Sequence, residues 1–238
     1  MAINSRIEWT ENTWNPVTGC TQISDGCLNC YALKMANRLE LMGSAKYKNG
    51  FNLSLHEYCL QDPYKWRRPS VIFVNSMSDL YHEDVPLSFI KQVFATMNEN
   101  QQHVFQILTK RPERLAEIAL ELTWTPNIWQ GVTVESSKYV DRIELLRQIP
   151  AQIRFISFEP LIGDVGRVNL LNIQWAIVGG ESGARSRPIE LNWVLNLKEQ
   201  CDAQGTLFYF KQWGGVNKKK SGRTLLGKTW DAVPEAAK

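Results

Sequence analysis

Val71-Ile-Phe-Val-Asn75, the segment Leu87 to Met97 and His103-Val-Phe-Gln-Ile-Leu108 decide the fold of this chain. The first and third pieces are short apolar runs rich in β-branched and aromatic residues, which read as buried strands. The piece between them is helical and is entered through Pro86, whose fixed φ suits a helix start. Strand, helix, strand in this order predicts parallel strands joined by a crossover helix.

The alternation continues downstream. Pro112 to Leu122 reads as a helix, Ile128 to Val134 as a strand and Ser137 to Gln148 as a helix. Ile153 to Ser157 reads as a strand, 161–173 carries no clear helix, and Gln174 to Val178 is again a strand. Asn192 to Ala203 and Thr206 to Phe210 supply a last helix and strand. Upstream, Arg6-Ile-Glu-Trp9 is the candidate first strand, Thr10 to Gly19 is turn-rich, and Tyr31 to Met42 is a helix closed by Gly43. The polar segment 44–70 is irregular, and its basic aromatic piece Pro63-Tyr-Lys-Trp-Arg-Arg-Pro69 reads as a surface loop. The expected fold is α/β: a (β/α) barrel, partial, of six to seven parallel strands. An open doubly wound sheet is the alternative. The barrel is expected over residues 1–215, with a basic tail over 216–238 whose Lys218-Lys219-Lys220 is solvated.

In such folds the chemistry lies at the carboxyl ends of the strands. After the first strand comes Cys20-Thr-Gln-Ile-Ser-Asp-Gly-Cys27-Leu-Asn-Cys30-Tyr31, which holds three of the five cysteines at C-x6-C-x2-C spacing. Thiolates are soft ligands for zinc or iron–sulfur clusters. With no fourth cysteine nearby, the loop suggests a metal centre that keeps one position open. Other readings are a zinc knuckle closed by His56, His82, His103 or Cys59, a disulfide beside a free thiol, or plain thiols. The three histidines form no i, i+4 pair.

Each later strand ends in polar residues. These are Asn75-Ser76-Met77-Ser78-Asp79, Thr109-Lys110-Arg111, Thr133 with Glu135, Ser157-Phe158-Glu159-Pro160, Gly179-Gly180-Glu181-Ser182-Gly183, and Lys211-Gln212-Trp213. Together they predict one shared polar cavity. Gly179-Gly180 either lets a ligand approach the backbone beside Glu181 or forms a simple turn. Glu135 and Glu159 either bind ribose or pair with Lys110 and Arg111. Asp79 either holds an ammonium group or caps the helix near residue 86.

The formal charge is +3, which permits nucleic acid as a partner without demanding it. With 44% hydrophobic residues the chain can build a core. The N-terminal stretch has no signal-like apolar region and no run has the length of a membrane span, so a soluble, cytoplasmic protein with no membrane partner is expected.

A three-cysteine loop after the first strand of a (β/α) barrel resembles the radical S-adenosylmethionine (SAM) superfamily. More closely, Thr13-Trp-Asn-Pro-Val-Thr-Gly-Cys20, Cys27-Leu-Asn-Cys30-Tyr31, Asn75-Ser-Met-Ser-Asp79-Leu80, Leu108-Thr-Lys-Arg111-Pro112, Gly131-Val-Thr-Val-Glu135, Ser157-Phe-Glu159-Pro-Leu161 and Gly179-Gly-Glu181-Ser-Gly183 are similar to the phage and bacterial "three-Cys-motif" proteins over about residues 7–215. The resemblance implies a [4Fe-4S] cluster on Cys20, Cys27 and Cys30, with S-adenosyl-L-methionine on the fourth iron. It implies reductive cleavage to a 5′-deoxyadenosyl radical, a reductase as electron donor, a possible partner enzyme and a bacterial or phage cytoplasmic setting. It assigns the SAM amino group to Ser78 and Asp79, with Ser76 on the same turn as a further cofactor contact, and the ribose to Glu135. It matches Gly179 to Glu181 to no role one-to-one, leaving that stretch as cavity wall or substrate contact, and Glu159, Gly180 and Glu181 stand as further candidate cofactor contacts. The superfamily's usual spacing is C-x3-C-x2-C, so the first gap is longer here, and Asn29 stands where an aromatic residue usually precedes the last cysteine. A modified nucleic-acid base is the expected substrate, with Lys110, Arg111, Lys211 and Trp213 as its contacts, and Arg185 and Arg187 nearby for phosphate. A non-catalytic zinc or iron–sulfur module that binds nucleic acid or a partner protein is the competing expectation. A metal-free hydrolase using Glu135, Glu159 and Lys110 is the third.

Overall fold

The structure is a computed structural model that describes residues 2, 3, 5 and 7–235 of the 238. Its strands, in chain order, are β1 (Ala2–Ile3), β2 (Asn12–Trp14), β3 (Val17–Thr18), β4 (Ser54–Leu55), β5 (Val71–Val74), β6 (Val104–Thr109), β7 (Ile128–Thr133), β8 (Ile153–Phe158), β9 (Trp175–Gly179) and β10 (Leu207–Gln212). Its α-helices are α1 (Tyr31–Leu41), α2 (Leu87–Glu99), α3 (Pro112–Ile118), α4 (Arg142–Arg147), α5 (Leu191–Gln204) and α6 (Lys218–Ser221). One sheet runs β1-β2-β5-β6-β7-β8-β9-β10, and β3 and β4 pair in a small second sheet. β1 is antiparallel to β2, and every later pair is parallel. The seven parallel strands curl into half a barrel, as a βαβ alternation requires.

Side chains alternate across a strand, and this alternation makes two apolar layers. Ile72, Val74, Phe105, Ile107, Ile156 and Val178 point to the helix-covered face and pack with Phe89, Ile90, Leu115, Ile143 and Val194. Phe73, Trp129, Phe155, Trp175, Ile177 and Tyr209 point to the inner face, where they form a second cluster with Trp9. The Trp9 ring lies 4.8 Å from Phe73 and 6.2 Å from Trp175. Gly131 belongs to this inner face: a Cβ there would stand 2.5 Å from the Phe155 ring.

The expected first strand over 6–9 is corrected. Arg6 lies outside the described residues, Ile7 to Trp9 form a turn, and the strand that pairs with β5 is Asn12–Trp14. Trp9 is apolar because it fills the inner cluster. Asn12 and Thr13 are polar yet buried, which hid the strand. The two middle helices are shorter than expected: 112–122 divides into α3 and a 3-10 turn over Ala119–Glu121, and 137–148 into a 3-10 turn over Ser137–Tyr139 and α4. Beyond residue 216 the chain packs back on the sheet. Leu225 is buried, the Phe210 amide donates to the Trp230 carbonyl at 2.9 Å, and the Trp175 indole donates to the Ala232 carbonyl at 2.8 Å. Among the described residues no helix is long and apolar enough to cross a membrane.

Candidate functional site at the carboxyl edge of the sheet

The cysteine loop leaves β3 through Gly19, whose φ of 82° is a glycine conformation. A Cβ there would also stand 2.3 Å from the Asn52 carbonyl oxygen. The Gly19 and Cys20 amides donate to the carbonyls of Met77 and Phe51. A 3-10 turn over Asp25–Cys27 follows, and Cys30 opens α1 as its N-cap.

The loop is then fastened across four strand exits. At the β6 exit, Arg111 donates to the Thr21 hydroxyl at 2.8 Å and lies 3.5 Å from the Cys20 sulfur. At the β7 exit, Glu135 accepts from the Ser24 hydroxyl at 2.5 Å. At the β9 exit, Glu181 accepts from the Asn29 amide at 3.0 Å. At the β5 exit, the Tyr31 hydroxyl donates to the Ser76 carbonyl. Buried His82 closes the same side, 2.9 Å from the Thr21 hydroxyl.

The acids expected in one cavity do come together at this edge, each with partners inside the protein. Asp79 accepts from the Thr109 hydroxyl at 2.8 Å, the Lys110 amide at 3.0 Å and Arg111 at 3.4 Å. It also accepts from the Tyr81 amide at 3.0 Å, so it caps its own turn and not α2. Fully buried Glu135 pairs with Arg142 at 3.0 Å and Lys110 at 3.5 Å. Glu159 pairs with Lys211 at 3.1 Å and accepts from the Ser157 hydroxyl at 3.3 Å. Glu181 accepts from Arg187 through its side chain at 2.5 Å and its amide at 2.8 Å. Burial raises the Glu181 carboxyl, but Arg187 and Asn29 outweigh it and hold the group below its ordinary value. Of the two pairings expected for the glutamates, Glu135 takes Lys110. Arg111 goes instead to Asp79 and to Glu83, 2.6 Å away.

The serines serve the scaffold. Ser76 donates to the Asn15 side chain at 3.2 Å, and Ser78 to the Val17 carbonyl at 2.9 Å. The open space at Gly179-Gly180 is used by the protein itself. A Cβ on Gly179 would stand 2.5 Å from a Glu159 oxygen, and one on Gly180 would stand 2.2 Å from the Trp213 carbonyl. Trp213 is engaged elsewhere, its ring 4.8 Å from Phe210 and its indole donating to the Thr224 carbonyl at 2.9 Å. The sequence reading missed Thr21, Ser24, Asn29 and Arg142, and it gave Arg187 to phosphate where the structure pairs it with Glu181. Ser24 and Asn29 lie within the cysteine motif, and their position there was the available signal.

All five cysteines are free thiols, and Cys20, Cys27 and Cys30 are partly exposed. Burial, with Asp79 beside it, pushes the Cys20 thiol up to about 11 against the pull of Arg111. Burial also works on Cys27, yet the Ser24 hydroxyl 3.5 Å away, the Ile23 backbone and Lys110 bring it below its ordinary value. Among the described residues no three His, Cys, Asp or Glu side chains are gathered as a set that could hold a metal ion. The donor chemistry nonetheless fits a soft metal centre: three thiols on one loop, with the Arg111 guanidinium donating at one of the sulfurs. Knuckle closure by the other candidates finds little support. His56 bonds Thr18 at 2.8 Å, His103 packs against Trp66 and Phe105, and buried Cys59 lies 3.2 Å from Lys46.

No curated protein and no solved structure matches the chain. The family described as "Protein of unknown function (DUF5131)" matches residues 4–234. That span is nearly all of the 238 residues, and the chain therefore belongs to the DUF5131 family.

Proposed function

We propose that this protein is a radical SAM enzyme in which Cys20, Cys27 and Cys30 hold a [4Fe-4S] cluster with one iron open to S-adenosyl-L-methionine. The observation that carries the reading is the fastening of a three-thiol loop over the carboxyl ends of a parallel half barrel by residues from four strand exits. Held by Cys20, Cys27 and Cys30, the cluster would supply the one-electron chemistry for reductive cleavage of S-adenosyl-L-methionine.

The chain's own residues bind and orient. Arg111 donates toward the Cys20 sulfur, which favours its thiolate form, and the Ser24 hydroxyl lies 3.5 Å from the Cys27 sulfur. Asp79, with Ser76 and Ser78 on the same turn, offers a carboxylate for the amino group of the cofactor. Glu135, Glu159, Gly180 and Glu181 border its ribose side. Their ion pairs with Lys110, Lys211, Arg142 and Arg187 hold these carboxylates in place. Lys110 and Lys211, both partly exposed, suit an anionic substrate such as a nucleotide unit of nucleic acid.

The test is anaerobic reconstitution with iron and sulfide, followed by dithionite and S-adenosyl-L-methionine. The expected result is charge-transfer absorption near ~400 nm, release of 5′-deoxyadenosine, and loss of both in each Cys→Ser variant. Absence of the absorption and of the nucleoside would overturn the reading. The competing reading is a non-catalytic zinc or iron–sulfur module, favoured by the ion pairing of all four strand-end carboxylates. Tightly held zinc without sulfide would establish that reading instead.

A further inference from the structure

Lys46 and Cys59 bring an amine and a thiol together on the segment that backs the cysteine loop. Lys46 lies in the 3-10 turn Ala45–Tyr47 that follows α1, and Cys59 in the 3-10 turn Glu57–Gln61 before β5. The chain between them supports the loop. The Phe51 carbonyl accepts from the Cys20 amide at 3.2 Å, and the Asn52 carbonyl packs against Gly19.

The Lys46 ammonium donates to the Asn15 carbonyl at 2.6 Å and to the Cys59 sulfur at 3.2 Å. It has no carboxylate partner among the described residues. The Asn15 carbonyl therefore holds the nitrogen beside the sulfur. Cys59 is 3% exposed, but Glu57 and Tyr58 next to it are exposed, so the thiol lies just beneath the surface. Two phenols, Tyr47 and Tyr58, adjoin it. Burial, then the charge of Cys59, raises both, Tyr47 to about 12, so both keep their protons at neutral pH. Cys201 is the contrast. It is buried as well, but Lys198, one turn away on α5, is turned to Asp202 and to the Trp230 ring, 4.0 Å from its nitrogen.

We propose that Cys59 and Lys46 are joined by a covalent sulfur–nitrogen clasp when the protein meets hydrogen peroxide, and that small thiols reopen it. The inference is independent of the cluster reading, since neither residue belongs to the cysteine loop. The reacting form of a cysteine is the thiolate, and its first oxidation product is the sulfenic acid, which condenses with nitrogen. The Cys59 thiolate attacks peroxide: an S–O bond forms and the O–O bond breaks. Sulfur is oxidised by two electrons, and the peroxide is reduced to the sulfenic oxygen and a hydroxide. The hydroxide takes a proton from the Lys46 ammonium and leaves as water. The neutral amine then attacks the sulfenic sulfur: the N–S bond forms, the S–O bond breaks, and a second water leaves with the other proton. Two thiol molecules reverse the link, returning the cysteine and the amine and departing as their own disulfide. The clasp closes both ends of the segment behind the cysteine loop, so an oxidant would fix the support of that loop.

The experiment treats the full chain with hydrogen peroxide, quenches with catalase, digests with trypsin and reads the peptides by mass spectrometry. Trypsin frees residues 39–46, 47–48 and 49–65 from the untreated protein. After peroxide, 39–48, uncut at Lys46, should appear joined to 49–65 with two hydrogen atoms fewer than the separate peptides. Dithiothreitol should abolish this species. Cys59→Ser and Lys46→Arg should not form it, with unchanged circular dichroism, and in Lys46→Arg the Cys59 sulfur should pass on to the sulfinic acid. The proposal is overturned if Cys59 of the parent stays a free thiol at peroxide levels that oxidise Cys20, Cys27 or Cys30. It is also overturned if Cys59 is oxidised without any link to Lys46, which would make their contact a structural one only. The parent digest decides the matter alone, so a variant that fails to fold does not shield the proposal.

Discussion

Glu159 and Lys211 form an ion pair across an intervening strand. Glu159 follows β8 and Lys211 lies at the end of β10, the two strands that flank β9, and their charged groups meet at 3.1 Å beside Gly179. Gly179 is the residue that leaves the carboxylate room, since a Cβ there would stand 2.5 Å from Oε1.

Gly179→Ala should therefore displace Glu159 and destabilise the protein by roughly 1–3 kcal/mol, the usual range for overpacking. Urea unfolding measures the loss. A Gly179→Ala, Glu159→Ala double variant should recover part of it. Strict additivity of the two changes would show that the glycine serves something other than this carboxylate.

Glu135 is the most heavily committed acid. It is fully buried and shared by Ser24, Lys110 and Arg142. Removing its charge leaves buried Arg142 without a counter-ion, and broken buried pairs cost about 3–5 kcal/mol. Glu135→Gln should lower the unfolding free energy by an amount near the bottom of that range, because the amide still accepts from Ser24. An unchanged denaturation midpoint would mean that the pair carries no net stability.

The three histidines make the fold acid-sensitive. Burial, then the Lys46 charge, pushes His56 down to about 4, and burial also lowers His82 and His103. The folded values lie below the unfolded value near 6.5. The neutral rings therefore contribute stability that is complete above about pH 6.5 and lost as the pH falls toward 4. For His56 alone this is on the order of 2 kcal/mol. Unfolding midpoints should fall between pH 7 and pH 5, and His56→Gln should flatten part of that slope.

Only the loop cysteines should matter for iron. Cys59 and Cys201 are buried away from the loop, one beneath Lys46 and the other on α5, where burial pushes its thiol up to about 12. Cys59→Ser and Cys201→Ser should take up iron and sulfide as the parent does. Gly19→Ala should reduce that uptake while all three thiols remain, because its Cβ meets the backbone of Asn52 and shifts the loop. Iron analysis per chain reads both effects.

Much of this was legible in the sequence because strands buried on both faces must be nearly all apolar. Val71–Val74, Ile128–Thr133 and Trp175–Gly179 announce themselves this way. The strand exits followed from it, and with them Lys110, Glu135, Glu159, Glu181 and Lys211. β2 was hidden because its buried Asn12 and Thr13 look like loop residues. The partners of the strand-end acids were hidden for another reason. Ser24 lies 111 residues from Glu135, and Asn29 lies 152 residues from Glu181. Only the path of the loop over the sheet brings them together, and no local pattern records that path. At Gly179-Gly180 the sequence shows that a Cβ is missing but not that Glu159 and the Trp213 carbonyl lie where it would stand.

A sheet that curls without closing keeps two raw margins, each able to recruit a strand from another molecule. At one margin lies β1, only two residues long, too short a template for such recruitment. At the other, backbone from 230–231 bridges to Phe210 and Tyr209, so β10 is already occupied along part of its free side. The C-terminal segment thus acts as a selvedge along part of that margin, leaving fewer free backbone groups there for a foreign strand to pair with.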